Sequence, residues 1–239
     1  SRWIPNQIIY CAQEAKSAHQ ELGYDNTKAI VIGNGYDLEL FNIAPPQGAA
    51  FRQELSLTES QLLLTMIGRY NPQKDHLNLI KSLSLVKKSG YNFKLVLIGH
   101  KMDDNNQTLL NQINQFGLKD NTILLGQRTD IPSVMNGADL NILSSSFGEG
   151  FPNVLAEAMA CGTPCVTTKV GDAALIVGQT GWSVEPREHI QLAAAIEDAI
   201  TQQQDKPTWA KRTMACRKRV EENFSIQNMI VSYHRAWLS

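Results

Sequence analysis

The chain has 239 residues, with 22 Lys and Arg against 23 Asp and Glu, so its formal charge is −1. That balance lacks the clustered positive excess that strong phosphate-backbone binding needs, and nucleic acid is not an expected partner. No apolar run approaches the roughly 18–20 residues of a bilayer-spanning helix, and residues 1–5 (SRWIP) are neither a signal peptide nor a usual start, so a piece of a longer cytoplasmic chain is expected.

In chain order, residues 7–12 (QIIYCA) read as a strand, 13–22 as a helix ended by Gly23, and 29–32 as a strand running into Gly33-Asn34-Gly35. Residues 62–68 (LLLTMIG), 93–99 (FKLVLIG), 122–126 (TILLG) and 140–144 are short apolar runs without polar alternation, as expected of strands buried on both faces. Between them, 76–89 has apolar residues at 77, 80, 83 and 86, and 105–116 at 109, 110, 113 and 116, which predicts helices. Beyond Gly150, 153–161 predicts a helix stopped by Gly162 and Pro164, 165–169 and 181–184 strands, and 189–203 an Ala-rich helix. Two further helices, 209–224 and 226–237, close the chain. The alternation is α/β: a doubly wound, Rossmann-like parallel sheet, with ligands expected beyond the strand carboxyl ends. Both chain ends leave apolar faces that a missing amino-terminal domain would cover.

Cys11, Cys161, Cys165 and Cys216 are scattered, and C-x3-C is not a zinc or redox spacing, so small reduced thiols are expected. The basic run Lys206, Lys211, Arg212, Arg217, Lys218 and Arg219 reads as a solvated helix face, with contact to anionic lipid as the alternative; Trp209 and Trp237 read as packing anchors.

The stretch 144–164 (SSSFGEGFPNVLAEAMACGTP) carries the chemistry. Glu149 stands on a Gly-flanked loop and Glu157 lies eight residues on, inside the helix that begins near Pro152 or Asn153. Both can face a ligand over that helix amino terminus, where free N–H groups of 151–154 and the helix dipole favour phosphate oxygens. Carboxylates suit sugar and ribose hydroxyls; Glu157 reads equally as a capping or ion-pair residue. Gly68-Arg69-Tyr70-Asn71-Pro72-Gln73-Lys74 sets two cationic groups at a strand end, where a diphosphate needs them.

EGFPNVLAEAMACGTP, with Glu149 and Glu157 in E-x7-E, together with GRYNPQKD and IGNGYD, resembles the carboxyl-terminal domain of retaining glycosyltransferases of family GT4, one half of a GT-B two-domain architecture. The resemblance covers nearly the whole chain. It implies residues 1–31 as the end of an amino-terminal acceptor domain or linker, 32–205 as the nucleotide-sugar donor domain, and 206–239 as helices packing back toward the amino-terminal domain. It implies catalytic roles for Arg69 and Lys74, holding the donor diphosphate, and for Glu149, positioning the transferred sugar. Glu157 would take the ribose hydroxyls, with Gly68, Gly99, Gly150, Phe151, Pro152, Asn153 and Val154 lining the donor pocket and Gln127 and Arg128 beside the base. The implied reaction transfers a hexose with retention from a UDP- or GDP-sugar, without metal or other cofactor. The acceptor would be a saccharide or lipid-linked, reached through the amino-terminal domain, in bacterial surface polysaccharide or lipopolysaccharide biosynthesis. Peripheral contact with the inner face of the plasma membrane follows as an option, and this chain alone is expected to transfer sugar poorly.

Two positions depart from the family pattern. Gly99-His100-Lys101 replaces G-x-G, leaving His100 as a loop residue, and Gly171-Asp172-Ala173-Ala174-Leu175 has Leu175 where a glutamate is frequent. A nucleotide-sugar epimerase of the same architecture and a non-catalytic nucleotide-sugar module are the alternatives. A dinucleotide-binding domain fits poorly because no G-x-G-x-x-G follows a strand, and G-x4-G-K-[ST] is absent.

Overall fold

The computed structural model describes residues 5–58 and 60–238. The implied first segment, 1–31, is therefore followed from residue 5; residues 1–4 lie outside the described residues. It consists of β1 (Ile8–Tyr10), α1 (Gln13–Glu21) and β2 (Ala29–Val31), and the two strands pair in parallel as a small sheet of their own. After α2 (Pro45–Glu54) come β3 (Leu62–Ile67), α3 (His76–Lys88), β4 (Phe93–Ile98), α4 (Gln107–Gln115), β5 (Thr122–Leu124), α5 (Ile131–Gly137) and β6 (Leu140–Leu143). Then follow α6 (Asn153–Ala160), β7 (Cys165–Thr168), α7 (Ala173–Val177), β8 (Trp182–Val184), α8 (His189–Gln204), α9 (Lys206–Asn223) and α10 (Ile226–Leu238).

Strands β3 to β8 form one all-parallel sheet in the order β5-β4-β3-β6-β7-β8. Leu63, Leu64, Leu95, Val96, Leu97 and Ile142 are fully buried, and neighbouring residues of one strand enter different clusters. Leu64 packs with α3 and α8 on one face, while Leu63 packs with Phe51 of α2 and Val134 of α5 on the other. The lack of polar alternation in 62–67 is thus the signature of a strand with no solvent face. From β3 the chain builds outward to β5, then returns to the other side of β3 as β6 and builds outward to β8. The winding reverses between β3 and β6, which opens a crevice at their carboxyl ends.

Three helices have no periodicity to announce them: α2, α5 and the short α7. In α2 (PPQGAAFRQE) Pro45 and Pro46 start the helix, and Gly48 meets α5 backbone to backbone. A Cβ at Gly48 would stand 2.5 Å from the Asn136 carbonyl carbon. Close approach through small residues replaces the apolar stripe that periodicity detects. Helix α9 begins at Lys206 rather than 209, because the Asp205 carboxylate accepts from the Thr208 hydroxyl (2.6 Å) and Pro207 occupies the first turn.

Segment 206–239 divides into two helices with different surroundings. Helix α9 is an integral layer of the large unit, burying Cys216 and Val220 against α6 and α7. Helix α10 has no buried residue, and Ile230, Val231, Trp237 and Leu238 are exposed. Trp209 packs on the core and stacks with Trp182, as an anchor should, whereas Trp237 is exposed beside Tyr233 of its own helix.

The basic run also needs correction. Lys206, Lys211 and Lys218 are exposed, but the three arginines are structural clamps. Arg217 donates to the carbonyls of Phe41 (2.5 Å), Ala160 (2.9 Å) and Leu38 (3.2 Å), fastening the 38–41 segment to the end of α6. Arg219 holds the Ile176 and Leu175 carbonyls (2.7 and 2.6 Å), and Arg212 donates to Thr180 O and lies over the Trp182 ring. A guanidinium offers five fixed donors, so one Arg can satisfy several carbonyls at a helix end that a Lys would serve singly. Arg217→Ala is expected to cost about 2–3 kcal/mol, since charge-assisted bonds to partly buried carbonyls are lost. Lys218→Ala should stay within about 0.5 kcal/mol. Thermal unfolding of the two variants checks the contrast; equal losses would show the arginine to be no clamp.

Candidate functional site

The crevice at the winding reversal is walled by the residues after β3 and those after β6. Behind β3, Pro72 opens a single 3₁₀ turn ending at Lys74, closed by the Asn71 side chain accepting from the Lys74 N–H (3.1 Å). Asp75 then takes a left-handed conformation and caps α3 through the Asn78 N–H. This tight turn aims Lys74 back across the strand end, over the space that Gly68 leaves open.

Behind β6, three successive serines stitch the loop to that turn. The Ser144 hydroxyl donates to the Lys74 and Asp75 carbonyls (2.9 and 3.1 Å), and the Ser146 N–H donates to Gln73 O (2.8 Å). The Gln73 amide reaches Gly148 O (2.8 Å). Across the crevice Lys74 Nζ meets Glu149 Oε1 at 2.6 Å, and the same oxygen accepts from the Ser145 hydroxyl at 2.5 Å. Both partners of the ion pair are nearly buried, with side-chain exposures of 14% and 8%. Water screens such a pair little, so it holds the two loops in register.

Helix α6 starts beside Glu149. Its N-cap position is Pro152 and no side chain caps it, and the uncapped N-terminus of a helix is where N–H groups and the helix dipole favour an anion. Arg69 is exposed and makes no hydrogen bond or ion pair with a described residue. Glu157 is half-buried on α6, and its carboxylate likewise has no such partner, so it is neither a cap nor an ion-pair residue. Burial raises its carboxyl above the ordinary value, and its charge in turn raises the Tyr36 phenol, already raised by burial. A cleft of about 530 Å³ opens on the far side of the Glu149 loop, between α1 and residues 146–150 and 169–171.

The family model described as "Glycosyl transferases group 1" matches residues 49–217, which include the whole six-stranded sheet and both walls of the crevice. The chain belongs to this family. The Escherichia coli UDP-Gal:alpha-D-GlcNAc-diphosphoundecaprenol alpha-1,3-galactosyltransferase is 29% identical over 87% of this chain and 53% of its own length. The capsular polysaccharide biosynthesis glycosyltransferase CapM of Staphylococcus aureus is 30% identical over 84% of this chain and 52% of its own. The crystal structure of Anabaena HepE in complex with UDP and glucose superposes with a TM-score of 0.86 at 26% identity, covering 98% of this chain and 63% of that one. The chain thus spans about half the length of the curated relatives it matches, and its sheet is the Rossmann-like unit of a GT-B glycosyltransferase.

Within this group 1 glycosyltransferase the expected residues fall into two sets. Gly68, Lys74, Glu149 and Gly150 lie on the two loops that the Lys74–Glu149 pair joins; Arg69 follows Gly68, Pro152 and Glu157 lie at and within the start of α6, and Gly99 follows β4 against Gly68. Asn153 and Phe151 spend their side chains on residues 33–36 and on Phe224. Asn153 Oδ1 accepts from the Asn34 amide (2.7 Å) and the Tyr36 hydroxyl (2.8 Å), while Phe151 meets Phe224 edge to face and presses on Gly33. Phe151 and Val154 pack on the core cluster, so along 151–154 only Asn153 is exposed. Gln127 is exposed. Arg128 is tied away: it holds Glu54 (2.6 and 3.0 Å) and Asp130 (2.8 Å to each oxygen), and those bonds raise its own proton affinity and lower that of the Asp130 carboxyl. His100 is an exposed loop residue and Leu175 is half-exposed, with its carbonyl on Arg219.

Four positioning residues escaped the sequence reading: Asn71, Gln73, Ser144 and Ser145. Only Asn71 had a readable signal, an Asx residue before Pro at a turn start. His76 is a further surprise, 2% exposed with neither ring nitrogen hydrogen-bonded and its pKa lowered to about 3 by burial and the adjacent Lys74. It stays neutral and adds no charge to the site.

The raised Glu157 carboxyl makes a signed prediction. The folded state holds this proton more tightly than the unfolded state, so stability falls as pH rises from the ordinary value of 4.5 through the raised one, and is level above it. Glu157→Gln should therefore melt above the unaltered chain at pH 7 and equal to it near pH 4. A melting difference that does not change with pH would overturn this reading of Glu157.

Proposed function

We propose that the crevice binds the nucleoside diphosphate of a UDP- or GDP-sugar and presents its hexose for transfer with retention. The observation that carries this is the Lys74–Glu149 pair, which joins the loops after β3 and β6 beside the start of α6, a start that no side chain caps; Arg69, next to Gly68, and Glu157, inside α6, have no side-chain partner among the described residues and complete the set in this reading. The α6 N–H groups and Arg69 take the diphosphate, and Lys74 joins them as charge grows on the leaving group. Glu157 accepts from the ribose diol, a contact that also offsets its burial cost. Glu149, already fixed by Lys74 and Ser145, orients the sugar hydroxyls. Attack from the leaving-group face, with the departing phosphate receiving the acceptor proton, gives retention without a protein nucleophile or a metal ion.

The acceptor, a saccharide or lipid-linked saccharide, docks from the remainder of the protein, onto which the exposed apolar face of α10 packs. We assign the whole protein to bacterial polysaccharide or lipopolysaccharide biosynthesis, because a diphosphoundecaprenol-directed galactosyltransferase and a capsular enzyme are among its relatives. Thermal shift with UDP, GDP, ADP and NAD tests the donor reading. At about 100 times its Kd a nucleoside diphosphate should stabilise the chain by about 2.7 kcal/mol, with the effect reduced in Glu157→Ala and Arg69→Ala. A preference for NAD would overturn it.

A further inference from the structure

We propose that Asp172 is a positioning residue that fastens the amino-terminal end of α1 to the loop carrying Glu149, so that seating of α1 and occupation of the crevice are coupled. Helix α1 begins at Ala12, an extended residue with no side-chain cap of its own. Its first two N–H groups are satisfied from the far end of the chain. Gln13 N–H donates to Asp172 Oδ2 at 2.7 Å and Glu14 N–H to Oδ1 at 3.0 Å. A carboxylate gripping two N–H groups at the positive end of a helix dipole is a charge-assisted cap supplied across the cleft.

Asp172 is only 6% exposed and is itself held from behind. Its N–H donates to Gly150 O at 2.8 Å. Gly171 turns with φ of +59°, and a Cβ there would stand 2.5 Å from Gly150 O and 2.7 Å from the Glu149 carbonyl carbon. Residue 172 is therefore bonded to α1 through its side chain and to the Glu149–Gly150 loop through its backbone. Ala12 completes the contact, lying 3.7 Å from where a Gly150 Cβ would be. The small β1–β2 sheet shares no ladder with the large one, so this link bears on how the two units meet. Any ligand that stiffens the Glu149 loop stiffens the anchor of α1, and an unseated α1 frees the loop. The link itself stands on the geometry; its coupling to ligand rests on the donor reading above.

Residue-resolved amide exchange on the 239-residue chain tests the link, and UDP titration by calorimetry tests the coupling. Asp172→Ala should speed exchange of Gln13 and Glu14 at least tenfold while the amides of β3 and β4 keep their protection, and should weaken UDP about three- to tenfold. Asp172→Asn, which keeps one acceptor, should fall between. Gln13→Pro attacks the same link from the other side: proline is tolerated at the first position of a helix but has no N–H to donate, so it should loosen α1 and weaken UDP with Asp172 intact. Unchanged exchange at Glu14 in both Asp172→Ala and Gln13→Pro would overturn the link. UDP binding by the unaltered chain that neither variant weakens would overturn the coupling alone, whereas no UDP binding at all would overturn the donor reading and the coupling with it.

Discussion

Lys74→Ala is expected to weaken binding of a nucleoside diphosphate at least tenfold and to destabilise the chain by about 3 kcal/mol. The two losses have different origins. Glu149 is 8% exposed and has Lys74 as its charged partner, so truncating the lysine leaves a desolvated carboxylate with only the Ser145 hydroxyl. That stability loss belongs to the orphaned charge, and the double change Lys74→Met with Glu149→Gln should recover most of it by removing both charges at once. Affinity should not recover, because the double variant has lost the cation that meets the diphosphate. Denaturant unfolding and UDP calorimetry on the two variants separate these effects. A double variant that regains UDP affinity along with stability would show Lys74 to be scaffold rather than ligand contact.

Gly99→Ala is expected to lower the melting temperature by about 10 °C, from a stability loss of about 4 kcal/mol. Gly99 has φ of +142°, where a Cβ is strained, and that Cβ would stand 2.6 Å from the Gly68 carbonyl carbon and 3.1 Å from Arg69 N. The turns after β3 and β4 touch backbone to backbone, so a methyl group must push the strand end that carries Arg69. Gly90→Ala is the control. It has φ of +91° with open space around it, and should cost only the backbone strain, about 1 kcal/mol. Differential scanning calorimetry of both variants decides whether close approach or backbone conformation makes position 99 a glycine; equal losses would rule out close approach.

Gly99 also shows how far the sequence could be read. As a glycine ending an apolar run it marked a strand end, and β4 does end at Ile98. Its role as a spacer for Gly68 was not readable, because the partner backbone is distant in sequence. The same division runs through the site. That Glu149 and the cations at the β3 end share one edge followed from two motifs on loops of a doubly wound sheet, whereas the Lys74–Glu149 ion pair itself is decided by the fold. The serines that fix it, a run of three identical small polar residues, carried no individual signal: Ser144 and Ser146 are defined by carbonyls about 70 residues away, and Ser145 by the Glu149 carboxylate that only the folded loop turns toward it. The basic run failed for a related reason. Six cations on one helix look alike in sequence, and the neighbouring carbonyls of Phe41, Ala160, Ile176 and Thr180 separate the three clamps from the three solvated lysines.

The class of chemistry came through the family resemblance that E-x7-E carries, whereas local information determined what depends on one segment at a time: buried strands from unbroken apolar runs, and helix starts and stops from Pro and Gly. Those properties are written in backbone preferences and side-chain period, which act within about ten residues. The tertiary structure alone decided which cations are free and which are spent, that Glu157 is an unpaired carboxylate of raised proton affinity, and that Asp172 caps a helix 158 residues before it. Such facts depend on which charges lose water together and which donors meet which acceptors, and those pairings exist only after the sheet has brought remote loops to a common edge.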